Sequence, residues 1–593
     1  MTPLPPDPPF PLALSPVDEA WVQEILAGMS LEERIGQMIH LHIPWNSNDD
    51  PEALEEINAL SRELHAGGHI VGGRSAEAMA PVLAELQRDR EVPLLISADF
   101  ESGVGRIWSD ATRFPCAMAQ AATWDPEAAR ITGAATAREA RAAGVHWILA
   151  PVSDVNINPE NPIINIRSYG EDVESVSEFA VAFAEGVQSA CGLACAKHYP
   201  GHGDTATDSH MMLARVDADR ERLEAVEFPP FQAAINAGVA SVMTSHIWFP
   251  ALMGDEGAIP ATVSPNVMTG LLRREMNFGG VLCTDSMRMR GLTNHFEAGE
   301  AAVRSVIAGV DVILVSADYR EAQQALLEAV RRGVISEERI ARSVERILRA
   351  KAWLGLHRED ATQYHLEDLL QPETVAIADR LTERSITAVR SEDGILPLVP
   401  GEIESLYHIA LFDESNRWWP SVIDPMDEGL ARRLGSVTRE IVFREPEREV
   451  VERFFDTVAE MSTDEITLSF GLTERRHEIL LEQAQRSDMI VVTAYVRIAA
   501  HKGAISLSEA QVALLNDLIH TGRPVILICC GSPYMLEAAP EAPVQILTYD
   551  YSAPMARALA GALLGDFPIT GRLPVTLPGV AARGHGLQIP SRE

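Results

Sequence analysis

Cysteine is scarce in this sequence, with six residues among 593. Cys529 and Cys530 are neighbours in the apolar run ILICC, where a disulfide between them would be strained. We therefore expect reduced, buried thiols rather than a disulfide framework. The amino terminus lacks the basic flank and the apolar stretch of a signal peptide and is instead a Pro-rich leader over residues 1–16. These absences predict a cytoplasmic protein.

Two further absences narrow the class of partner. No apolar run reaches the roughly 18 to 20 residues that are needed to cross a bilayer. Positive charge is in deficit, because 49 Lys and Arg face 85 Asp and Glu and leave a formal net charge of −36. Repulsion between like charges opposes binding to nucleic acid or to an anionic membrane. We expect neither of them as a partner.

The length and the pattern of apolar runs predict the architecture. A chain of 593 residues is too long for one compact domain. Eight short apolar runs end in polar residues, and most are followed by an Ala-rich helical stretch: IGQMIHLHI, GGHIVGG, PLLISADFE, HWILAPVSDVN, LACAKHYPGH, ASVMTSHIW, GVLCTDSM and VDVILVSAD. Apolar strands that alternate with helices are typical of a parallel sheet covered on both faces. Eight of them predict an α/β fold with a (β/α)8 TIM-type barrel.

A second unit follows the barrel. We place the barrel at residues 17–355, a polar connector at 356–384 and the second unit at 385–593. The second unit contains the β-like runs YHIALF, MIVVTAY, PVILICCGSP and VQILTYDYS with helices between them, which predicts an open α/β domain. The first helix signal of the chain is a capping box formed by Ser30 and Glu33.

Polar residues cluster where the predicted barrel strands end. In this fold, functional sites are built from residues at and just after the C-terminal ends of the strands. Five of the eight runs end in such residues: Asp99 and Glu101, Asp154 and Asn156, Lys197 and His198, His246, and Asp285. Loops are polar in any protein, so a single residue of this kind means little. Their convergence from five strands predicts a site.

The segment Cys195–His210, CAKHYPGHGDTATDSH, is the densest polar stretch, with three histidines, one lysine and two aspartates. His and Asp are good zinc ligands. However, no HExxH motif or paired Cys spacing accompanies them, and the lysine would bring a competing positive charge close to the ion. We predict no metal and no other cofactor.

The stretch KHYPGHGDTATDSH resembles the signature loop of glycoside hydrolase family 3, and in particular its β-N-acetylglucosaminidase branch. Three other segments are similar to the same family: LAPVSDVNINPENPIIN with the RSYGED that follows it, CTDSMRMRGL, and YDYSAPMARALAGALLGDFPITGRLPVTLP at Tyr549–Pro578. The last segment resembles the tail of the family's second domain, so the resemblance implies a barrel followed by an α/β sandwich.

One segment departs from that resemblance. The branch usually has an aspartate, any residue, a glutamate, two glycines and an arginine, whereas this sequence has DFESGVGR, with two extra residues before Arg106. The resemblance therefore carries over Asp99 and leaves the role of Arg106 undefined.

The resemblance implies the reacting groups. Asp285 matches the family's nucleophile, and its place at the end of the strand GGVLCTD suits a carboxylate that must be held by the barrel wall. A helix N-cap is the alternative. Asp208 and His210 match a dyad in which histidine replaces the usual carboxylic acid as proton donor. The aspartate would orient the ring, and the near-neutral pKa typical of histidine suits proton exchange.

The resemblance also implies substrate-binding residues. Asp99, Lys197 and His198 match residues that contact sugar hydroxyls, and Arg167 matches one that reaches toward the substrate. His246 and Arg74 are further candidates, for which a core position is the alternative. Three other polar residues fit a structural role in the loop network equally well: Glu101, His202 and Asp204.

We therefore expect an exo-acting retaining β-N-acetylhexosaminidase that removes a terminal β-linked N-acetylglucosamine from a small carbohydrate, with peptidoglycan fragments as its source. A glycoside phosphorylase is one alternative, because a histidine acid/base leaves no anionic charge on the entry path of phosphate. A β-glucosidase or β-xylosidase of the wider family is another, although those enzymes typically take their acid from the second domain. A non-enzymatic sugar-binding protein is the last alternative, but such a protein would have no use for the reacting groups Asp285 and His210.

Overall fold

The chain divides into two compact units. The computed structural model describes residues 8–43, 50–358, 364–392, 394–399, 401–413, 436–443, 466–470, 472–498 and 505–592. The first unit comprises Met1–Phe114, Ala129–Asn161 and Asp172–Val375, and the second comprises Pro115–Ala128, Pro162–Glu171 and Ala376–Glu593. Two short segments of the predicted barrel range, 115–128 and 162–171, thus group with the second unit.

The first unit is built on eight parallel strands. They are β1 (Ile39–Ile43), β2 (Gly68–Val71), β3 (Leu95–Ala98), β4 (Trp147–Ile148), β5 (Leu193–Tyr199), β6 (Ser241–Thr244), β7 (Val281–Cys283) and β8 (Ile313–Leu314). Their order in the sheet is β8-β1-β2-β3-β4-β5-β6-β7, and each pairing is parallel. A parallel bridge from Cys283 to Val312 links β7 to the residue before β8, so the sheet is nearly closed. The predicted barrel is confirmed, and each of its strands lies in one of the eight predicted runs.

Helices connect the strands. The helices in the first 385 residues are α1 (Pro16–Gly28), α2 (Leu31–Gln37), α3 (Pro51–Glu63), α4 (Ala76–Gln87), α5 (Ala117–Ala122), α6 (Glu127–Ala142), α7 (Val173–Ser189), α8 (Arg220–Ala225), α9 (Phe228–Asn236), α10 (Pro250–Met253), α11 (Arg290–Thr293), α12 (Ala298–Ala308), α13 (Tyr319–Arg331), α14 (Glu337–Trp353) and α15 (Pro372–Ser385). A π-helical segment spans Asn266–Glu275, and a two-residue ribbon pairs Ala214–Arg215 with Ile247–Trp248.

The amino-terminal helices show one correct and one wrong prediction. The capping box of Ser30 and Glu33 is confirmed, since the Glu33 carboxylate accepts the N–H of Ser30 at 2.7 Å and opens α2. The prediction that this is the first helix is wrong, because α1 precedes it. Ser15 caps α1 with Asp18 in a second capping box and Pro16 at the first helical position.

The second unit contains a seven-stranded mixed sheet. Its strands are β9 (Thr387–Ser391), β10 (Ser405–Phe412), β11 (Ser436–Phe443), β12 (Ile466–Phe470), β13 (Met489–Val496), β14 (Val525–Gly531) and β15 (Val544–Leu547). The order is β9-β15-β14-β13-β10-β11-β12, with β9 antiparallel to β15 and the other pairs parallel. The predicted open α/β domain is confirmed, and the four predicted runs coincide with most or all of β10, β13, β14 and β15.

Helices cover both faces of the second sheet. They are α16 (Glu474–Arg486), α17 (Glu509–Ile519) and α18 (Ala553–Leu564). Cys529 on β14 shares a core with α16 and α17, whereas Cys530 shares the opposite core with α18. The two thiols therefore face opposite sides, and all six cysteines are free. Cys191 is exposed, so the expectation of burial is wrong for that thiol.

None of the helices that the structure describes is both long and apolar enough to span a membrane.

Candidate active site

The barrel brings the predicted site residues of several strands to one rim. Because its strands are all parallel, their C-terminal ends meet at the same end of the barrel. Five strands contribute to this rim: Asp99 follows β3, Asp154 follows β4, Lys197 and His198 lie in the second half of β5, His246 follows β6, and Asp285 follows β7. A bridge between Val152 and Lys197 extends the β4–β5 pairing toward Asp154.

Lys197 is a buried cation held between two carboxylates. Its Nζ lies 2.7 Å from Asp99 Oδ1 and 2.8 Å from Glu101 Oε1. Burying an ammonium group without such partners would be costly. The side chain of Asp99 keeps 42% of its surface exposed, so this carboxylate is accessible to a ligand while it holds Lys197.

Arg106 also reaches this cluster. The residues between Glu101 and Arg106 fold into a tight turn in which Gly103 has φ +87° and Val104–Arg106 form a 3-10 helix. The Arg106 guanidinium then lies 3.1 Å from the carbonyl oxygen of Asp99 and 3.0 Å from Glu101 Oε2. Glu101 therefore forms ion pairs with both Arg106 and Lys197 and restrains both side chains.

Asp154 orients His198. The buried Asp154 carboxylate accepts the backbone N–H of His198 at 3.2 Å and the N–H of His202 at 2.7 Å. It also accepts the Nδ1–H of His198 at 2.8 Å, which leaves Nε2 on the far side of the ring. Asp154 is not among the site residues predicted from the sequence, although its place at a strand end is a signal that points to it.

The loop after β5 carries the predicted dyad. The Asp208 carboxylate is buried and accepts both the backbone N–H and the Nδ1–H of His210 at 2.8 Å, while the His210 ring is 26% exposed. His202 holds the loop in shape, because its ring nitrogens lie 2.8 Å from Thr205 Oγ1 and 2.9 Å from Ser209 Oγ. The dyad thus fixes the His210 tautomer and directs Nε2 away from Asp208.

Asp285 is a partly buried carboxyl group that interacts with three histidines. Burial opposes its ionisation, but electrostatic interaction with His198, His246 and His210 outweighs burial and lowers the pKa of this carboxyl below its ordinary value. The backbone N–H of Ser286 adds to the effect by donating to Asp285 Oδ1 at 2.7 Å. The interaction with His210 couples Asp285 electrostatically to the Asp208–His210 dyad. Its lowered pKa makes Asp285 an ionised carboxylate at neutral pH.

His246 is engaged by the protein through both ring nitrogens. Its Nε2–H donates to the carbonyl oxygen of Ser286 at 3.1 Å, since a carbonyl can only accept, and its Nδ1 lies 2.8 Å from Thr262 Oγ1. Burial lowers the pKa of His246. These contacts place His246 as a support for the segment that carries Asp285.

The two predicted arginines belong to a loop of the first unit and to a segment of the second unit. Arg74 is exposed in the loop after β2, where its carbonyl oxygen accepts the N–H of Ser109 at 2.8 Å. Arg167 ends a 3-10 helix, Asn165–Arg167, in a segment of the second unit, and its guanidinium donates to the carbonyl oxygen of Ile163 at 2.8 Å.

Three residues at the rim were missed by sequence analysis. His42 lies at the end of β1, and its backbone N–H donates to Tyr319 Oη at 3.1 Å. Arg288 follows β7, lies 5.7 Å from the centre of the Tyr319 ring and interacts electrostatically with His42. Arg288 stands in the quoted CTDSMRMRGL segment, but nothing in the sequence pairs it with the end of β1.

Comparison with known proteins identifies the family. Residues 30–350 match the N-terminal domain of glycosyl hydrolase family 3, and residues 386–589 match the C-terminal domain of that family. The chain belongs to glycosyl hydrolase family 3.

The relatives of this glycoside hydrolase are named for several different activities. A β-N-acetylglucosaminidase/β-glucosidase of Cellulomonas fimi is 30% identical over 95% of this chain and 97% of its own length. The structure of a family 3 β-N-acetylglucosaminidase from Paenibacillus sp. str. FPU-7 is 32% identical, with a TM-score of 0.78 over 93% of this chain and 99% of that one. A β-glucoside phosphorylase is 25% identical, with a TM-score of 0.80 over 96% of this chain and 97% of that one.

Within the described part of this family 3 chain, no group of three or more His, Cys, Asp or Glu residues is arranged to hold a metal ion.

A buried glutamate supports the start of the β5 loop. Glu227 packs under Gly201, where a Cβ would lie 2.6 Å from Glu227 Cγ. Arg222 bridges Glu227 and the loop residue Asp204, at 3.1 Å and 3.0 Å respectively. Burial raises the pKa of Glu227 to about 7, against the attraction of Arg222 and with some repulsion from Asp204 and Asp154. The loop that carries the dyad of this glycosidase therefore rests on a group that titrates near neutrality.

We expect Glu227→Gln to remove a pH dependence of stability. In the wild type, protonation of Glu227 stabilises the fold fully below its ordinary pKa of 4.5, and this contribution is lost as pH rises through about 7. Between pH 5 and 8 the wild type should lose about 2 kcal/mol relative to the variant, at about 1.4 kcal/mol per pKa unit. Urea denaturation across this pH range measures the difference. Glu221→Gln, at an exposed position on α8, is the matched control, and parallel pH profiles for wild type and Glu227→Gln would refute the assignment.

Proposed function

We propose that the chain is an exo-acting retaining β-N-acetylhexosaminidase that hydrolyses terminal β-linked N-acetylglucosamine. The observation that carries this proposal is the Asp208–His210 dyad, whose imidazole interacts electrostatically with the ionised Asp285. The names of the Cellulomonas fimi and Paenibacillus relatives support the same sugar. We also propose peptidoglycan fragments in the cytoplasm as the source of the substrate, on the resemblance of the signature loop.

In the first step, Asp285 is the nucleophile. Its carboxylate oxygen bonds to the anomeric carbon while the bond from that carbon to the leaving oxygen breaks. The leaving oxygen takes the proton from Nε2 of the His210 imidazolium. Asp208 holds Nδ1–H and stabilises the cation before transfer, so that a histidine performs the task that a carboxylic acid performs in most glycosidases.

In the second step, His210 acts as the base. Its neutral Nε2 removes a proton from water as the water oxygen bonds to the anomeric carbon, and the bond to Asp285 breaks. The sugar leaves with its original configuration because the anomeric carbon is inverted twice. His210 is again the imidazolium and Asp285 is again the carboxylate.

The remaining residues would bind and orient the sugar. We propose that Asp99, Lys197 and His198 contact the hydroxyls of the terminal residue, since the exposed carboxylate of Asp99 and the oriented ring of His198 lie at the same rim. His246 holds the Ser286 carbonyl and thereby the backbone beside Asp285. Substrate contact by Arg74 and Arg167 is proposed on the sequence alone.

The dyad is tested by a leaving-group series. A proton donor matters only as far as the leaving group needs a proton, so His210→Ala should slow the cleavage of natural sugar aglycones by about 10² to 10⁴-fold. Formation of the glycosyl-enzyme from a dinitrophenyl glycoside should be spared, because that group leaves unprotonated. Deglycosylation then limits turnover, and azide, which needs no general base, should restore the rate and yield a glycosyl azide.

Two variants sharpen this experiment. Asp208→Ala removes the group that orients the ring and should show the same pattern more weakly. His295→Ala, an exposed histidine of the same unit, is the control and should change neither leaving-group dependence nor azide response. Equal slowing of activated and poor leaving groups by His210→Ala, with no effect of azide, would assign His210 a binding or structural role and end the proposal.

Phosphorolysis is the second candidate function, favoured by the likeness to a β-glucoside phosphorylase. A neutral imidazole in place of a carboxylate removes an anionic charge from the path of the second-step nucleophile, so phosphate could attack the glycosyl-enzyme. We expect hydrolysis, with free N-acetylglucosamine as product and a rate that phosphate does not change. Product analysis at increasing phosphate decides between them, because accumulation of a sugar 1-phosphate with faster turnover would establish the phosphorylase instead.

A further inference from the structure

The loop that carries the dyad rests on the turn after β7. The N–H of Arg290 donates to the carbonyl oxygen of His210 at 3.3 Å, and the N–H of Gly291 donates to the carbonyl oxygen of Ser209 at 3.2 Å. Arg290 and Gly291 begin the short helix α11, whose first N–H groups have no partner within the helix. The loop supplies those partners, so the two segments are joined by main-chain hydrogen bonds.

Gly291 lies close to the backbone of two other segments of the rim. A Cβ on this residue would lie 2.9 Å from the carbonyl oxygen of Ser209, 3.3 Å from that of Met212 and 3.2 Å from that of His246. The backbone of Gly291 is not in the left-handed region, so its conformation does not require glycine. The closeness of the three carbonyl groups favours glycine instead, because a methyl group at 2.9 Å from the Ser209 carbonyl oxygen would force that carbonyl to shift.

We propose that Gly291 is a positioning residue that sets the distance between His210 and Asp285. This proposal rests on the proposed function. Gly291 and Asp285 belong to the same segment after β7, and the contact with Ser209 is one residue from His210. Without a side chain at position 291, the loop lies directly on the segment that carries the nucleophile. A Cβ 2.9 Å from the Ser209 carbonyl oxygen forces a shift of roughly a few tenths of an ångström, and a misplacement of about 1 Å in such a geometry costs about 10²-fold in rate.

The test is Gly291→Ala, measured with the same leaving-group series. The added methyl group must displace the Ser209 carbonyl, and His210 moves with it. We expect kcat for a natural aglycone to fall by about 3 to 10-fold, with little change in the first step for a dinitrophenyl glycoside. The effect should vanish when His210 is already Ala, because a residue that acts only through His210 has nothing left to position.

The controls separate a positioning role from a loss of folding. Gly28→Ala adds a methyl group at the end of α1 where no atom lies within 4 Å, so it should leave the kinetics unchanged and should not lower Tm. If Gly291→Ala slows all leaving groups alike, or adds its full effect to His210→Ala, the proposal is wrong. If His210→Ala itself shows no leaving-group dependence, the proposed function fails first, and the two failures are thus distinguished.

A measurement on the wild type covers the case in which Gly291→Ala does not fold. The amides of Arg290 and Gly291 should exchange slowly with deuterium in the full-length protein, since the loop carbonyls are their acceptors. Exchange at the rate of exposed amides would show that the loop does not rest on this turn and would overturn the proposal.

Discussion

Closure of eight parallel strands is the constraint on which the site depends. The pairing of β8 with β1, together with the bridge from Cys283 to Val312, returns the sheet to its beginning. Residues that lie nearly two hundred positions apart in sequence, such as Asp99 and Asp285, then share one rim. A parallel arrangement puts all the C-terminal strand ends on that side, so each strand supplies polar groups to the same place.

The charged side chains at the rim are stabilised because they form ion pairs and hydrogen bonds with one another. Lys197 is buried between Asp99 and Glu101, Arg106 braces Glu101, and Asp154 holds His198. Each buried charge has a partner of opposite sign or a hydrogen-bonded group, which is the condition for burying it at acceptable cost. The same pairing fixes the orientation of the side chains before any sugar binds, and fixed dipoles and charges are an important source of catalysis in enzymes.

The barrel strands and the polar residues at their ends can be predicted from the sequence, because both are local patterns. The strands β9, β11 and β12 are not predicted, since their segments are short or contain charged residues, as in the TREIVF of β11. The role of Arg106 is also left open by the sequence, since only the turn at Gly103 shows that the guanidinium returns to Glu101.

The roles of Glu227 and Gly291 could not be predicted for a related reason. The pKa of Glu227 is raised by burial beneath a loop that starts 26 positions earlier, at Gly201. The need for glycine at position 291 arises from three carbonyl groups that come from two other segments of the rim. Such effects depend on contacts between distant parts of the chain, and no local pattern encodes them.

The central claim is that Asp285 forms a covalent bond to the sugar, and trapping that bond tests it most directly. A 5-fluoro N-acetylglucosaminyl fluoride should accumulate as a glycosyl-enzyme, because fluorine slows both steps and the fluoride leaving group preserves the first. Digestion and mass spectrometry should then find the added sugar on the peptide that contains Asp285, and Asp285→Ala should remain unlabelled. A label on Asp208 or Asp204 instead would contradict the account, since it would place the nucleophile on the loop and reverse the face of the sugar that is attacked.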